Sequence, residues 1–168
     1  MALNAFMKID KADGESKQQN YTKWIEIQGW DWEVEAESSW TKGSGSSVGK
    51  PNPGKFNFEH YYDTSSNKLL QYISAGKSFD RIEMHMCKTT GGSKPEPFFL
   101  VEMKEAFITK VNQTASEDGN VVQKVELVFK SIKIDYKPQD GTGSQAGKLG
   151  SALTYEWDIP LGKTNIAA

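Results

Sequence analysis

Arg81-Ile-Glu-Met-His-Met-Cys87, then Thr90-Gly-Gly-Ser93, then a run carrying Phe99, Val101 and Met103, reads as a β-hairpin. Ile82, Met84 and Met86 alternate with Arg81, Glu83, His85 and Cys87, the period of two expected of a strand with one buried face. The glycines between the runs supply turn chemistry. The same period continues outward in both directions. Upstream, Leu3, Ala5, Met7 and Ile9 share one parity, and Asp13-Gly14 carries turn residues. Ile25 and Ile27 are odd while Trp30, Trp32 and Val34 are even, so the buried face changes at Gln28-Gly29, where a β-bulge is expected. Downstream, a second hairpin turns at Glu117-Asp-Gly-Asn120 and returns through Val125, Leu127 and Phe129. Parity then slips to Ile132, Ile134 and Tyr136, implying a bend near Lys130-Ser131, and Leu153, Tyr155, Trp157 and Ile159 close the series.

Between the strand beginning at Phe56 and Phe58 and the first hairpin lies one helical pattern. Thr64 or Ser65 caps it, Leu69, Tyr72 and Ile73 follow at i, i+3 and i+4, and Gly76 stops it after about three turns. Many short strands, one helix and two bends predict an all-β, mainly antiparallel barrel with one short flanking α-helix. At 168 residues the chain forms a single domain, 1–168. Segments 38–54 and 138–150 are rich in Gly, Ser and Pro and read as long loops.

Charge and composition narrow the function. The net charge is -2, and Arg81 is the only arginine among 20 Lys and Arg. A site built on bidentate recognition of phosphates or base edges is therefore not expected, nor is a nucleic-acid partner. Cys87 stands alone and forms no internal disulfide. The first ten residues lack a basic n-region and a seven-residue apolar run, so no Sec-type signal is expected, and no run reaches membrane-spanning length.

Catalytic motifs fail on context. Gly45-Ser-Ser-Val-Gly49 matches the nucleophile elbow by letter, but Pro51 and Pro53 follow where a helix belongs. Gly49-Lys50 lacks the spacing of a phosphate loop, and no helix follows Gly141-Thr-Gly-Ser-Gln-Ala146. Two histidines, His60 and His85, and one cysteine make no zinc ligand cluster. His85 and Cys87 share a strand face at roughly 7 Å, too far for a direct thiol–imidazole hydrogen bond. Asp31, Glu33, Glu35 and Glu37 form a stripe without the asymmetric environments that acid/base chemistry needs; it reads as solvated or matched by lysines of a neighbouring strand or subunit. Of five tryptophans, Trp24, Trp30, Trp32 and Trp157 fall in alternating strands and read as core, while Trp40 falls in a loop. The expectation is a protein with no catalytic residues, cofactor or metal.

Taken in order, the segments resemble the Hcp family, the tube-forming proteins of bacterial type VI secretion. The resemblance runs through Ala5-Phe-Met-Lys-Ile-Asp10, Gly14-Glu-Ser16, Trp24-Ile-Glu-Ile27, Trp30-Asp-Trp32, Phe56–Tyr61, the short helix with Gly76-Lys77, and Phe98-Phe-Leu-Val-Glu102. It continues through Val128-Phe-Lys-Ser-Ile-Lys-Ile-Asp-Tyr-Lys-Pro138 to Tyr155-Glu-Trp157. It implies a barrel subunit of a homohexameric ring. The rings stack into a tube that a contractile sheath propels with a VgrG-type spike protein, and the pore carries or chaperones small effector proteins. The protein would be cytoplasmic before assembly and then secreted without a signal peptide, with no membrane insertion. By the same resemblance Asp31 faces the pore as a cargo contact, although a small polar residue is typical there. The extended segment Lys42, Gly43, Ser44, Gly45, Ser46, Ser47, Val48, Gly49, Lys50, Pro51 and Asn52 makes the ring-to-ring contact. The competing readings are a monomeric barrel that carries a small hydrophobic ligand and a hydrolase effector on a similar sandwich. Large inward aromatics argue against the first, and the second has no room for an added domain after the last strand.

Overall fold

In the computed structural model the chain is described for residues 4–41, 45–88, 95–138 and 153–165. The elements run β1 (Ala5–Ile9), β2 (Ile25–Ile27), β3 (Gly29–Asp31), β4 (Val34–Thr41), β5 (Gly45–Pro53), β6 (Phe56–Tyr61), α1 (Ser66–Ala75) and β7 (Ser78–Lys88). They continue with β8 (Glu96–Ala115), β9 (Val121–Val128), β10 (Ser131–Tyr136), β11 (Thr154–Asp158) and β12 (Lys163–Thr164). All strand pairings among the described residues are antiparallel.

β7 pairs with β8, as the alternation of Ile82, Met84 and Met86 predicts, and their connecting turn lies outside the described residues. Ladders run from β7 to β1 and β2 on one side and from β7 through β8, β9 and β6 to β3 on the other, and the chain itself joins β2 to β3, closing the barrel at that corner. The parity change at Gln28 is the corner of that closure. β2 pairs with β1 and β3 pairs with β6, and the Gln28 N–H donates to the Glu59 carbonyl at 2.8 Å as the chain crosses from one partner to the other. The expected bulge is thus a change of partner strand.

The second parity slip has the same meaning. β9 pairs with the C-terminal half of β8 and β10 with its N-terminal half, with the chain bending at Phe129-Lys130 between them. β10 then carries β11 and the two-residue β12 as a wing. Ile25, Ile27, Phe56, Phe79, Ile82, Met84, Met103 and Leu127 fill the interior at 0–1% exposure. Trp30 stacks on Phe56 at 5.6 Å between ring centroids and on Phe99 at 5.5 Å. That filling disfavours a hydrophobic-ligand barrel, which needs space between inward side chains.

Helix α1 begins at the Ser65 cap position, but the Ser65 hydroxyl does not cap it. Instead the Asp63 carboxylate accepts from the Ser65 N–H at 2.8 Å and from the Ser65 hydroxyl. Gly76 ends the helix in the left-handed region at φ 65°, where glycine carries no Cβ penalty. Leu69 is buried and Tyr72 stacks on Phe79 at 4.0 Å, seating the helix on the barrel.

Segment 38–54 differs from the irregular loop expected. It forms most of a β-hairpin, β4 with β5, in a two-stranded sheet of its own. Small residues and prolines concealed the strands from a reading based on apolar alternation. Val34, expected on the buried face with Trp30 and Trp32, is 44% exposed because the chain has left the barrel there. Leu3, segment 139–150 and the side chain of Trp40 lie outside the described residues.

Candidate functional surface

The hairpin is fastened to the barrel at its base. The Trp32 indole N–H donates to the Gly54 carbonyl at 3.1 Å, and the Gly54 N–H donates to the Glu33 carbonyl at 2.8 Å. Trp32 itself packs against Phe129 and Tyr155 at 5.9 and 6.4 Å. Beyond the base, residues Val34 to Ser38 and Gly49 to Asn52 are exposed. Of the segment expected to contact a neighbouring ring, Gly45 to Asn52 lie on β5, while Lys42, Gly43 and Ser44 lie outside the described residues. The elbow-like Gly45–Gly49 lies within that strand, where no strand-to-helix turn presents a serine.

Asp31 is exposed on β3, paired in register with Asn57, whose side-chain amide donates to the Asp31 carboxylate at 3.1 Å. It lines a shallow groove of about 380 Å³ with Gly29, Asn57, Glu59, Lys124 and Glu126 on the outer face of β3, β6 and β9. Glu33, Glu35 and Glu37 leave this face with the hairpin. Among the described residues the four acids of the stripe form no ion pair.

His85 and Cys87 are joined through a third residue that spacing did not reveal. The Cys87 thiol donates to the Tyr21 phenol oxygen at 3.3 Å, and the phenol lies 3.1 Å from His85 Nδ1. Tyr21 stacks on Phe6 at 4.5 Å and meets the Trp24 ring edge-on at 4.9 Å, so Trp24 covers the outside of β1 and β7 and is not barrel core. Cys87 lies under this lid, beside a register shift between β7 and β8 at Met86/Cys87. Burial pushes the thiol pKa up, with the Tyr21 hydrogen bond opposing, and burial with the Cys87 contact raises the phenol. The thiol stays protonated at neutral pH and is a poor nucleophile.

Burial, together with the positive charges of Lys137 and Arg81, holds the His85 pKa down to about 4. Between the ordinary histidine value of about 6.5 and that level, the unfolded chain binds a proton that the folded chain refuses. Stability contributed at this site is therefore lost as pH falls through that window. His85→Gln is expected to flatten the loss, read as Tm against pH; parallel curves for variant and parent would refute the assignment.

A second polar cluster was missed because its members are far apart in sequence. His60 is fully buried, its Nε2 lies 2.7 Å from Gln123 Oε1, and its Nδ1 faces the Asp63 carboxylate at 3.8 Å. Gln123 Nε2 also donates to Gln113 Oε1 at 3.1 Å. The cluster ties β6, β8 and β9 to the segment that starts α1. Burial pushes the Asp63 pKa up, but the His60 ring and the Ser65 donors outweigh it, and the net shift is downward. A depressed carboxylate contributes stability above its ordinary pKa and loses it as pH falls through the folded-state value. The stability advantage of the parent over Asp63→Asn is thus expected to be full at neutral pH, to begin to fall near the ordinary carboxylate value of about 3.9, and to vanish only below the depressed folded-state value. Equal acid dependence in urea unfolding would contradict this.

The described elements make a closed antiparallel barrel, filled by side chains, that displays an anchored hairpin: the architecture of an assembling structural subunit. A family model described as "Type VI secretion system effector, Hcp" matches residues 6–136, and the chain belongs to the Hcp family, the tube proteins of type VI secretion. It is 29% identical over 160 residues to protein hcp1 of Pseudomonas aeruginosa, covering 95% of this chain and 96% of that one. Among solved structures, a type six secretion system protein superimposes with a TM-score of 0.87 at 25% identity, covering 97% of this chain and 99% of the other. Hcp1 from Salmonella typhimurium gives 0.74 at 28% identity, covering 98% and 99%. As a family member the chain is a type VI secreted protein. No described helix is long and apolar enough to cross a membrane.

Proposed function

We propose that this chain forms hexameric rings that stack into the inner tube of a type VI secretion system, with the β4–β5 hairpin as the contact between rings. The observation that carries the reading is the hairpin itself: a ribbon anchored by Trp32 and Gly54, exposed at residues 34–38 and 49–52, and paired with no other strand among the described residues. A solitary two-stranded ribbon is marginal in water, so a neighbouring copy supplies the packing it lacks. Asp31, exposed and without a cation partner among the described residues, is the pore-facing position against which effector proteins lie. Assembly takes place in the cytoplasm. A contractile sheath then drives the tube, tipped by a VgrG-type spike, out of the cell, and the chain acts without catalytic chemistry, cofactor or metal.

Light scattering behind size exclusion, with imaging of the same peak, tests the ring: a six-fold mass and annular particles are expected. Replacing residues 36–51 with a short Gly-Ser turn is expected to leave the barrel folded and abolish stacking. Unchanged stacking would overturn the role given to the hairpin. Asp31→Lys is expected to leave the ring mass unaltered while weakening co-purification of effectors.

A further inference from the structure

Residues 13–24, between β1 and β2, form a loop that closes on itself through its own backbone. The Gly14 N–H donates to the Lys23 carbonyl at 2.8 Å, the Ser16 N–H to the Trp24 carbonyl at 3.0 Å and the Lys23 N–H to the Ser16 carbonyl at 2.8 Å. The Tyr21 N–H donates to the Gln18 carbonyl and the Trp24 N–H to the Tyr21 carbonyl, shaping the tip. The base leaves no room for a side chain at position 14, where a Cβ would stand 2.5 Å from the Trp24 carbonyl oxygen. A compact loop whose ends are joined leaves a surface without losing its own structure.

Side chains hold this loop to the barrel. Tyr21 stacks on Phe6 of β1, the Trp24 ring lies 5.0 Å from the His85 ring of β7, and the Thr64 hydroxyl donates to the Asp13 carbonyl at 2.8 Å. At the centre is the chain from Cys87 through Tyr21 to His85, and its hydrogens run in one direction. The thiol donates to the phenol oxygen, so the single phenol hydrogen goes to His85 Nδ1, which must be bare to accept it. A proton on Nδ1 reverses that bond and leaves the phenol hydrogen with no acceptor in the cluster. The surroundings oppose the proton as well. Arg81 on the same strand and Lys137 after β10 carry positive charge, Cys87 is a neutral thiol, and the register neighbours Phe6 on β1 and Leu100 on β8 carry no charge. Among the described residues His85 has no carboxylate within 4 Å.

We infer that residues 13–24 are a proton-operated lid: uptake of a proton on His85 Nδ1 lifts them from β1 and β7 as a unit while the barrel stays folded. The open form uncovers His85 together with Phe6 and Cys87, which the closed lid holds at 4% and 6% exposure. Free of the lid, the imidazole returns to its ordinary value of about 6.5, against about 4 in the closed form, so protonation favours opening throughout that interval. From those two values the open population rises about twentyfold between pH 7 and pH 5.

Cys87 is the only cysteine, so 4,4′-dithiodipyridine, a thiol reagent that works in acid, reads the lid directly. Labelling rates of the full chain are divided by the rate of the same chain unfolded in urea at each pH. This ratio is expected to rise about twentyfold from pH 7 to pH 5 where reclosing outpaces reaction. The rise should depend weakly on added urea, because a local opening exposes little surface. In His85→Gln, which keeps an acceptor for the phenol but takes up no proton, the ratio is expected to change by less than about twofold over the same range. Tyr21→Ala removes the anchor and is expected to label at least about tenfold faster than the parent at pH 7. A constant parental ratio between pH 7 and pH 5 would overturn the inference. So would the parental rise in His85→Gln, parental labelling of Tyr21→Ala, or a urea dependence as steep as that of global unfolding.

Discussion

Phe56→Ala is expected to lower the unfolding free energy by about 4 kcal/mol, the largest loss foreseen for a single substitution in this chain. Phe56 is 0% exposed at the start of β6 and lies under the Trp30 ring with planes 7° apart. Its truncation removes buried ring surface and leaves a cavity that the surrounding strands do not collapse to fill, since β6 is held by ladders to both β3 and β9. Trp30 loses one of its two stacking partners, so a change in tryptophan fluorescence should accompany the fall in stability. Chemical denaturation of parent and variant decides the matter; a loss under about 1 kcal/mol would show that the barrel repacks more freely than these contacts imply.

Gly54→Val is expected to release the hairpin while leaving the barrel folded. A Cβ at position 54 meets the Glu33 carbonyl oxygen at 2.8 Å, inside ordinary contact distance. That oxygen is the acceptor for the Gly54 N–H, so relief of the clash breaks the bond that starts the β4–β5 ladder. It also carries the Gly54 carbonyl away from the Trp32 indole. The expected cost is about 1–3 kcal/mol, a fall in Tm of about 2–10 °C for a chain of this size. Faster amide exchange is expected throughout residues 34–53, together with loss of stacking between rings. Unaltered exchange in that segment would mean that the base tolerates the side chain and that the ribbon is held by something other than this contact.

Much of the barrel was legible before any coordinates. Ile82, Met84 and Met86 against Arg81, Glu83 and His85 state which face of β7 is buried, because a strand places successive side chains on opposite sides and water admits one set only. The two parity slips likewise marked the corners at Gln28 and Lys130. What they left open was that the chain changes partner strand at Gln28 and changes its position along β8 at Lys130, since parity records a turn of face but not which neighbour follows.

The β4–β5 ribbon was illegible for a related reason. Alternation is a signature of burial, and a ribbon with exposed faces has none to show. Trp24 was misplaced, and the burial of Cys87 was not foreseen, because both belong to a small cluster over the outside of the barrel, made by the segment that brings Tyr21 back onto β7. The His60, Asp63 and Gln123 cluster needed three elements in contact before any of its members acquired a meaning.

The amino-acid sequence alone determined the antiparallel class, the place of the single helix, the buried face of most strands and, through the order of its segments, the family. These follow from local stereochemistry and from the partition of side chains between water and core. Tertiary structure alone decided which strand pairs with which, how the thiol and the buried histidine are held, and that residues 34–53 leave the barrel as a ribbon anchored at Trp32 and Gly54. Those are relations between residues distant along the chain, and they exist only once the backbone has set a register.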